Sequence, residues 1–311
     1  VTSLASLLGI GLLSSQWWHL AGFMILGGIG SGIGMSASNL LLARNVPRDK
    51  RGFAFGIKQA SAPVASSVAG LSVPLVGLTI GWRWALVGLP VAMLVVFLVL
   101  RPPAAATAEE SRAASRARAP LLPMILLASA SGFAAASATV TIGFFVESAV
   151  ERGFSTGAAG YALAIGSFAG IFARVLWGWL ADRRGRGHLA FLSWLFFAGS
   201  VGFGLMGVVT TLPQLMLASV VVFAAGWSWS GLVFLVATLG SPGAPATATG
   251  ITSAGGGAGG LLGPIVFGAL VESGSYTVAW LVTASWMVIA AVLARVTLVV
   301  WLRKLAARAE A

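Results

Sequence analysis

Cysteine is absent from the 311-residue chain, histidine occurs twice, and acids number eight. The missing thiols exclude a disulfide framework, a thiolate metal site and a cysteine nucleophile. His19 and His188 are expected on opposite sides of the apolar spans and so form no cluster, and no P-loop lysine follows a glycine-rich turn. Charge is scarcer still. Only 9% of residues are charged, against about 25% in an ordinary soluble domain. A water-soluble globule would lack a polar skin, so the surrounding solvent is expected to be lipid.

What the chain does have is apolar sequence: 58% of residues are hydrophobic and mean hydropathy is +0.95. A hydrocarbon layer of roughly 30 Å takes about 20 helical residues to cross. Apolar runs bounded by charge or turn residues predict ten helices, at 1–14, 20–43, 52–78, 82–100, 121–147, 155–181, 188–209, 212–238, 247–272 and 277–302. No run alternates with period two, and open sheet edges would leave backbone groups unsatisfied in lipid. The expected fold class is therefore an all-α integral membrane protein.

The net charge of +11 would suit a nucleic-acid binder, but the cations sit between apolar spans and not along one face. Arg44, Arg48, Lys50 and Arg51 follow the second span; Arg101, Arg112, Arg116 and Arg118 follow the fourth. Arg183, Arg184 and Arg186 follow the sixth, and Arg303, Lys304 and Arg308 follow the tenth. Only Arg83 and Arg152 occupy the opposite loops. Positive loops stay in the cytoplasm, so both ends of the chain are expected on the cytoplasmic side of a cell membrane. The loop "GSPGAPATATG" lies on the same side and carries no charge. Trp17, Trp18, Trp82 and Trp84 mark the outer interface.

The stretch "RPPAAATAEESRAASRARAP" is the one long polar segment. It divides the chain into residues 1–100, a linker at 101–120, residues 121–304 and a short cytoplasmic tail at 305–311. Four spans precede the linker and six follow. A shift of 194 residues carries the starts at 52 and 82 to 246 and 276, beside the ninth and tenth starts, and places Gly56-Ile57 on Gly250-Ile251. The same shift puts partners of the fifth and sixth spans before Val1. Two helices are thus expected upstream, as is an initiating Met.

The loop "GWLADRRGRGH" carries Gly178, Asp182, Arg183, Gly185 and Arg186 at the spacing G-x-x-x-D-R-x-G-R. With the six-plus-six plan and a basic linker, this resembles the major facilitator superfamily, in which the motif gates the cytoplasmic side. "RGFAFGIKQASAP", "GWRWA" and "GGLLGPIVFGALVESGSYTVAW" add to the resemblance, which covers essentially the whole chain. It implies two six-helix bundles, of which the first here has four helices. It also implies a secondary transporter that is not an enzyme, carries a small-molecule substrate by alternating access, takes H+ or Na+ as coupling ion, needs no cofactor or metal, and works as a monomer in the lipid bilayer. The segment "HLAGFMILGGIGSGIGMSASNLLLARNVP" lacks the Arg that many members carry there, so a proton-relay role for that Arg is not carried over.

Asp182 ends the sixth span where it can face the N-terminus of the third span near Gly52, whose free N–H groups and positive dipole end favour an anion. Such a latch is worth about 0.3 to 2 kcal/mol, weak enough to break in each cycle. Arg183 and Arg186 could add ion pairs, or merely anchor the topology at the headgroups.

Charges within hydrocarbon are expensive and are functional candidates by default. Lys58 lies roughly 9 Å inside the third span, and Arg174 lies about 12 Å before Asp182, both from a rise of 1.5 Å per residue. Lys58 and Arg174, with Gln59, are read as meeting an anionic group on the substrate. The competing reading has both side chains snorkel to headgroups or bind backbone carbonyls, and Arg295 is read as snorkelling. Glu147, near the outer end of the fifth span, is a coupling or gating candidate or an outer-surface carboxylate. Trp227 and Trp229 lie on different faces of the eighth span, one to line a cavity and the other to pack. Pro63, Pro74 and Pro264 bend helices that must rock. "SAGGGAGG" reads as close helix packing. Uptake of an organic anion or carboxylate is favoured; the alternatives are export of a hydrophobic drug and a non-transporting membrane sensor.

Overall fold

The computed structural model of the protein describes residues 2–72, 76, 79–81, 83, 84, 86–88, 94 and 119–309. Most of the span expected at 82–100, Trp82, Pro74, the linker up to residue 118 with its four arginines, and the extreme C-terminus lie outside the described residues. The first helices are α1 (Thr2–Leu13), α2 (Trp17–Asn45), a 3-10 turn at Arg48–Lys50 and α3 (Arg51–Ser72). After the linker come α4 (Leu121–Glu151), α5 (Thr156–Arg184), α6 (His188–Val208), α7 (Leu212–Val221) and a π turn at Val222–Gly226. The chain finishes with α8 (Ser230–Gly240), α9 (Pro245–Ser273) and α10 (Tyr276–Ala309).

Among the described residues no strand occurs, and seven helical stretches are long and apolar enough to cross a membrane. These are α2, α4, α5, α6, the α7–α8 stretch, α9 and α10 to Arg303. Helix α3 is not among them, because Arg51, Lys58, Gln59 and Ser61 fall within its first three turns. Large apolar side chains lie open on the helices' outer faces, as Phe168 (64% exposed), Phe172 (61%) and Leu261 (68%) show. Water would penalise that surface, whereas lipid chains are its natural neighbours. Helix α10 runs on to Ala309, so the tail expected from residue 305 continues the last span.

Two compact units make up the chain: Val1–Ser38 with Val64–Ala117, and Asn39–Pro63 with Arg118–Ala311. In the first, α1 lies against α2, with Ser6 donating to the Phe23 carbonyl at 2.6 Å and Gly9 facing the Phe23 ring. Arg83 donates to the Ser14 carbonyl at 2.8 Å. Trp17 and Trp18 are open, at 70% and 53% exposure, as interface-belt residues would be.

The second unit is built on backbone-to-backbone contact. Gly255, Gly259 and Gly263 on α9 press on Ala128, Gly132 and Ala136 of α4, a four-residue stride on both helices. Two helices share one seam this way because i and i+4 lie on the same face. In lipid the gain is van der Waals contact and not water release. Aromatic rings fill the wider gaps: Trp280 stacks with Phe203 and meets Phe267 edge-on at 4.9 Å between centroids.

The turn between α5 and α6 is set by two glycines with positive φ, Gly185 at 63° and Gly187 at 73°. Gly185 caps α5 by donating to the Ala181 and Asp182 carbonyls at 3.2 and 3.1 Å. Gly187 then turns the chain into α6. This fixes the direction in which the charged end of α5 emerges.

Candidate functional site

At the end of α5 the Asp182 carboxylate accepts two backbone N–H groups from the first turn of α3. Gly52 donates to one oxygen and Phe53 to the other, each at 2.7 Å. Those amides have no partner within their own helix, and the anion meets the positive end of its dipole. The approach depends on small residues. A Cβ on Gly52 would run into the Gly178 carbonyl, one on Gly178 into the Gly52 carbonyl, and one on Gly56 into the Arg174 backbone. Thus α3 and α5 touch over a full turn. His188 Nε2 sits 3.2 Å from the Ala181 carbonyl. Arg183 lies over the Trp179 ring at 4.0 Å, Arg184 lies over Phe191 at 4.7 Å, and Arg186 is exposed. The Arg183 contact shown is thus with an aromatic ring.

About two turns before Asp182 on α5, at the level of Arg174, the span expected as one helix over 212–238 is broken. The α-helical pattern of α7 widens into the π turn at Val222–Gly226, opens at Trp227–Trp229 and resumes as α8. A break in lipid is tolerated only where the freed carbonyls find donors. Here side chains supply them. Trp177 Nε1 donates to the Ala224 carbonyl at 2.6 Å, and Trp229 Nε1 donates to that of Gly226 at 3.0 Å. The Ser228 hydroxyl lies 2.7 Å from the Phe223 carbonyl and 3.0 Å from that of Gly170. Arg174 Nη2 donates to the Trp227 carbonyl at 2.9 Å.

Arg174 is only 4% exposed. Its guanidinium also covers the Trp227 ring, with Cζ 4.1 Å from the centroid. Its Nε and Nη1 are buried and make no hydrogen bond among the described residues. The carbonyl contact fits one branch of the snorkelling alternative, yet it uses a single donor of the fork. The N–H groups of Nε and Nη1, on different edges of the guanidinium plane, are left without an acceptor among the described residues. The Trp227 ring that the guanidinium covers packs in turn on Phe223, at 5.3 Å between centroids, and Phe223 packs on Phe145 at 6.1 Å.

Lys58 turns to another partner. Its ammonium donates to the side-chain oxygen of Asn39 on α2, and Asn39 is fully buried with its amide nitrogen unpartnered among the described residues. Gln59, beside it, is 7% exposed. Close packing of Gly56 on Arg174 sets the two basic residues on facing helices, while their polar ends bond to different elements. Trp229 packs on Phe196 at 5.6 Å and is buried, whereas Trp227 is half-buried against Arg174. Glu147 belongs to none of this. It is exposed near the far end of α4.

Sequence reasoning missed Asn39 and the break. Asn39 is a lone amide in an apolar helix, and the signal for the break was the small-residue spacing of Gly226, Ser228, Ser230 and Gly231 around two tryptophans.

A family model described as Major Facilitator Superfamily matches residues 1–192 and again residues 127–309. Among solved structures, the fold is similar to an MFS transporter, FucP, in its outward conformation. The identity is 17% and the TM-score 0.67, covering 95% of this chain and 80% of that one. A variant of the E. coli fucose:proton symporter FucP gives 15% and 0.67 over the same shares. The human organic anion transporter MFSD10 (TETRAN) gives 16% and 0.72, covering 94% of this chain and 76% of that one. At these identities the likeness is one of fold. No curated protein sequence matches the chain.

Proposed function

We propose, from the premise that this chain belongs to the major facilitator superfamily and is a multi-pass secondary transporter, that its solute is a small organic anion received at Arg174. The observation that carries this reading is the pair of buried guanidinium donors, Nε and Nη1, with no partner among the described residues. A buried cation with an open fork is costly unless a second charge completes it. A carboxylate supplies that charge and an acceptor for a free N–H on either edge of the guanidinium. Lys58 and Gln59 form the second side of the site, and Trp227 its apolar lid, with Trp229 as the packing that holds the break.

Transport proceeds by rocking one bundle, residues 1–100, against the other, residues 121–304, with the linker at 101–120 between them. The Asp182 contact with the amides of Gly52 and Phe53 is the breakable clasp of the basic side. That side is cytoplasmic, in an inner membrane, and the working unit is a monomer. Coupling is to H+ or Na+. The name of the fucose:proton symporter supports the former by likeness of fold, and that of the human organic anion transporter supports the substrate class.

The test is flux in proteoliposomes with a panel of small carboxylates, with and without a pH or Na+ gradient, comparing the native chain with Arg174→Gln and Lys58→Gln. Carboxylate uptake lost in Arg174→Gln is expected; unchanged kinetics in both variants would remove the anion site. The aromatic wall of Phe145, Phe223 and Trp227 favours one second reading, export of a hydrophobic compound. Dye efflux that ignores Arg174→Gln would establish that reading instead. A label at Glu109 is expected to react only from the cytoplasmic side.

A further inference from the structure

On the outer face of the second unit, α6 and α10 enclose a groove of about 680 Å³ that no part of the transport reading uses. Its walls are apolar, with Trp194 61%, Phe197 49% and Val292 54% exposed. Two arginines stand in it, Arg295 and Arg303, and its lining contains no acid. Arginine on an open membrane face is unfavourable without a counter-charge, and the default escape is to extend toward the headgroups.

Arg295 is instead tied sideways. Its Nε donates to the Ser193 hydroxyl at 3.1 Å, and that hydroxyl donates to the Ala291 carbonyl at 2.9 Å. The guanidinium lies 5.6 Å from the centre of the Trp194 ring. Both terminal amino groups are unbonded among the described residues and border the groove. The α10 span, Tyr276–Arg303, has 28 residues, or about 42 Å of helix, against a hydrocarbon core of roughly 30 Å. Arg295, eight residues before Arg303, therefore lies about 6 Å inside the hydrocarbon edge, within reach of a lipid phosphate by its own side-chain length.

We infer that this groove is a binding site for an anionic phospholipid, with its phosphodiester on Arg295 and Arg303 and an acyl chain along Val292 and Phe197. A phosphodiester offers the charge that the two arginines lack. The apolar wall gives a reason for a lipid over a free anion, which would leave that wall unused. Basic pockets between membrane helices bind anionic headgroups on the same physical grounds.

Trp194 reports on the site. The purified full chain is placed in phosphatidylcholine nanodiscs doped with brominated phosphatidylglycerol, and the Trp194 signal is taken as the difference from Trp194→Phe. Brominated phosphatidylglycerol is expected to quench that signal about fivefold more effectively than brominated phosphatidylcholine, the worth of one arginine near an anionic headgroup. Unbrominated phosphatidylglycerol should reverse the effect, inorganic phosphate should not, and Arg295→Gln should abolish the preference. Equal quenching by both lipids means ordinary boundary lipid and overturns the inference. Reversal by inorganic phosphate, or an unchanged preference in folded Arg295→Gln, overturns it as well. Should Arg295→Gln not fold, the two-lipid comparison and the phosphate competition in the native chain still decide.

Discussion

Gly52 and Gly178 meet without a side chain between them, each positioned so that a methyl on one would occupy the carbonyl of the other. That contact brings the first amides of α3 to the Asp182 carboxylate at 2.7 Å. Helix approach and anion capture are therefore one feature. The glycines permit the distance at which an acid at the end of one helix can cap another.

Asp182→Asn keeps the volume and one acceptor but removes the charge and turns an amide NH2 toward a backbone N–H. Hydrogen bonds to charged groups contribute about 1.5 to 3 kcal/mol, and one of two is lost outright. A loss of about 1 to 2 kcal/mol in the clasped state is expected. It is read as a lower midpoint of thermal unfolding in detergent together with an altered uptake rate. Gly178→Ala should cost at least as much, about 1 to 3 kcal/mol, by overpacking. Because the chain contains no cysteine, a single cysteine in place of the buried Ala181, beside Asp182, would report clasp opening alone. Equal labelling rates with and without the Asp182→Asn substitution would show that the contact does not gate.

Arg174 separates binding from architecture. If the residue is a receptor, Arg174→Met should abolish carboxylate uptake while stability stays level or rises, because replacing a buried charge by an apolar residue is often neutral or stabilising by about 1 to 4 kcal/mol. Arg174→Lys should also lose most transport, since an ammonium cannot reproduce the planar fork. If its chief task is to hold the Trp227 carbonyl, Arg174→Met should unfold the α7–α8 break. A stability loss of about 3 kcal/mol or more would support that outcome over the receptor.

The break itself predicts a graded series. Trp177→Phe keeps one aromatic ring and leaves the part-buried Ala224 carbonyl without its donor, at a cost of about 1 to 3 kcal/mol. Ser228→Ala removes a hydroxyl that lies between two carbonyls and should cost a similar amount. Thermal unfolding midpoints of both variants should fall, and the double variant should exceed either single one. Both midpoints remaining at the native value would mean that water already satisfies these carbonyls.

The spans were legible because lipid leaves the sequence few choices: each crossing helix must be apolar for about 20 residues, and the cations mark where it stops. Helix ends shifted, as where α10 continues to Ala309. The break was missed because Val222 to Gly226 is as apolar as its surroundings and carries no proline or charge, so its one mark in the sequence is the run of small residues beside two tryptophans. Its cause lies elsewhere in the chain, in Gly170, Arg174 and Trp177, more than 45 residues away. The same holds for Arg174. Its rarity in an apolar run singled it out, but only folding brings it to Trp227. Lys58 was visible as a charge, while its partner Asn39 was hidden as one amide in an apolar helix.

Two glycines on α9 test the seam with α4 most directly. Gly257 and Gly259 stand two residues apart in one helix, and alanine at either adds the same methyl. At Gly257 nothing lies within 4 Å of the new Cβ, while at Gly259 the methyl would fall on the Gly132 carbonyl. Gly257→Ala should be neutral or stabilising by up to about 1 kcal/mol, through helix propensity alone. Gly259→Ala gains the same propensity and must also push α4 away, so a net loss of about 1 to 3 kcal/mol is expected. Paired unfolding scans in one detergent measure the difference and cancel solvent effects. Equal midpoints would mean that α4 and α9 can separate freely at Gly132, and the four-residue stride of small residues would then carry no stability.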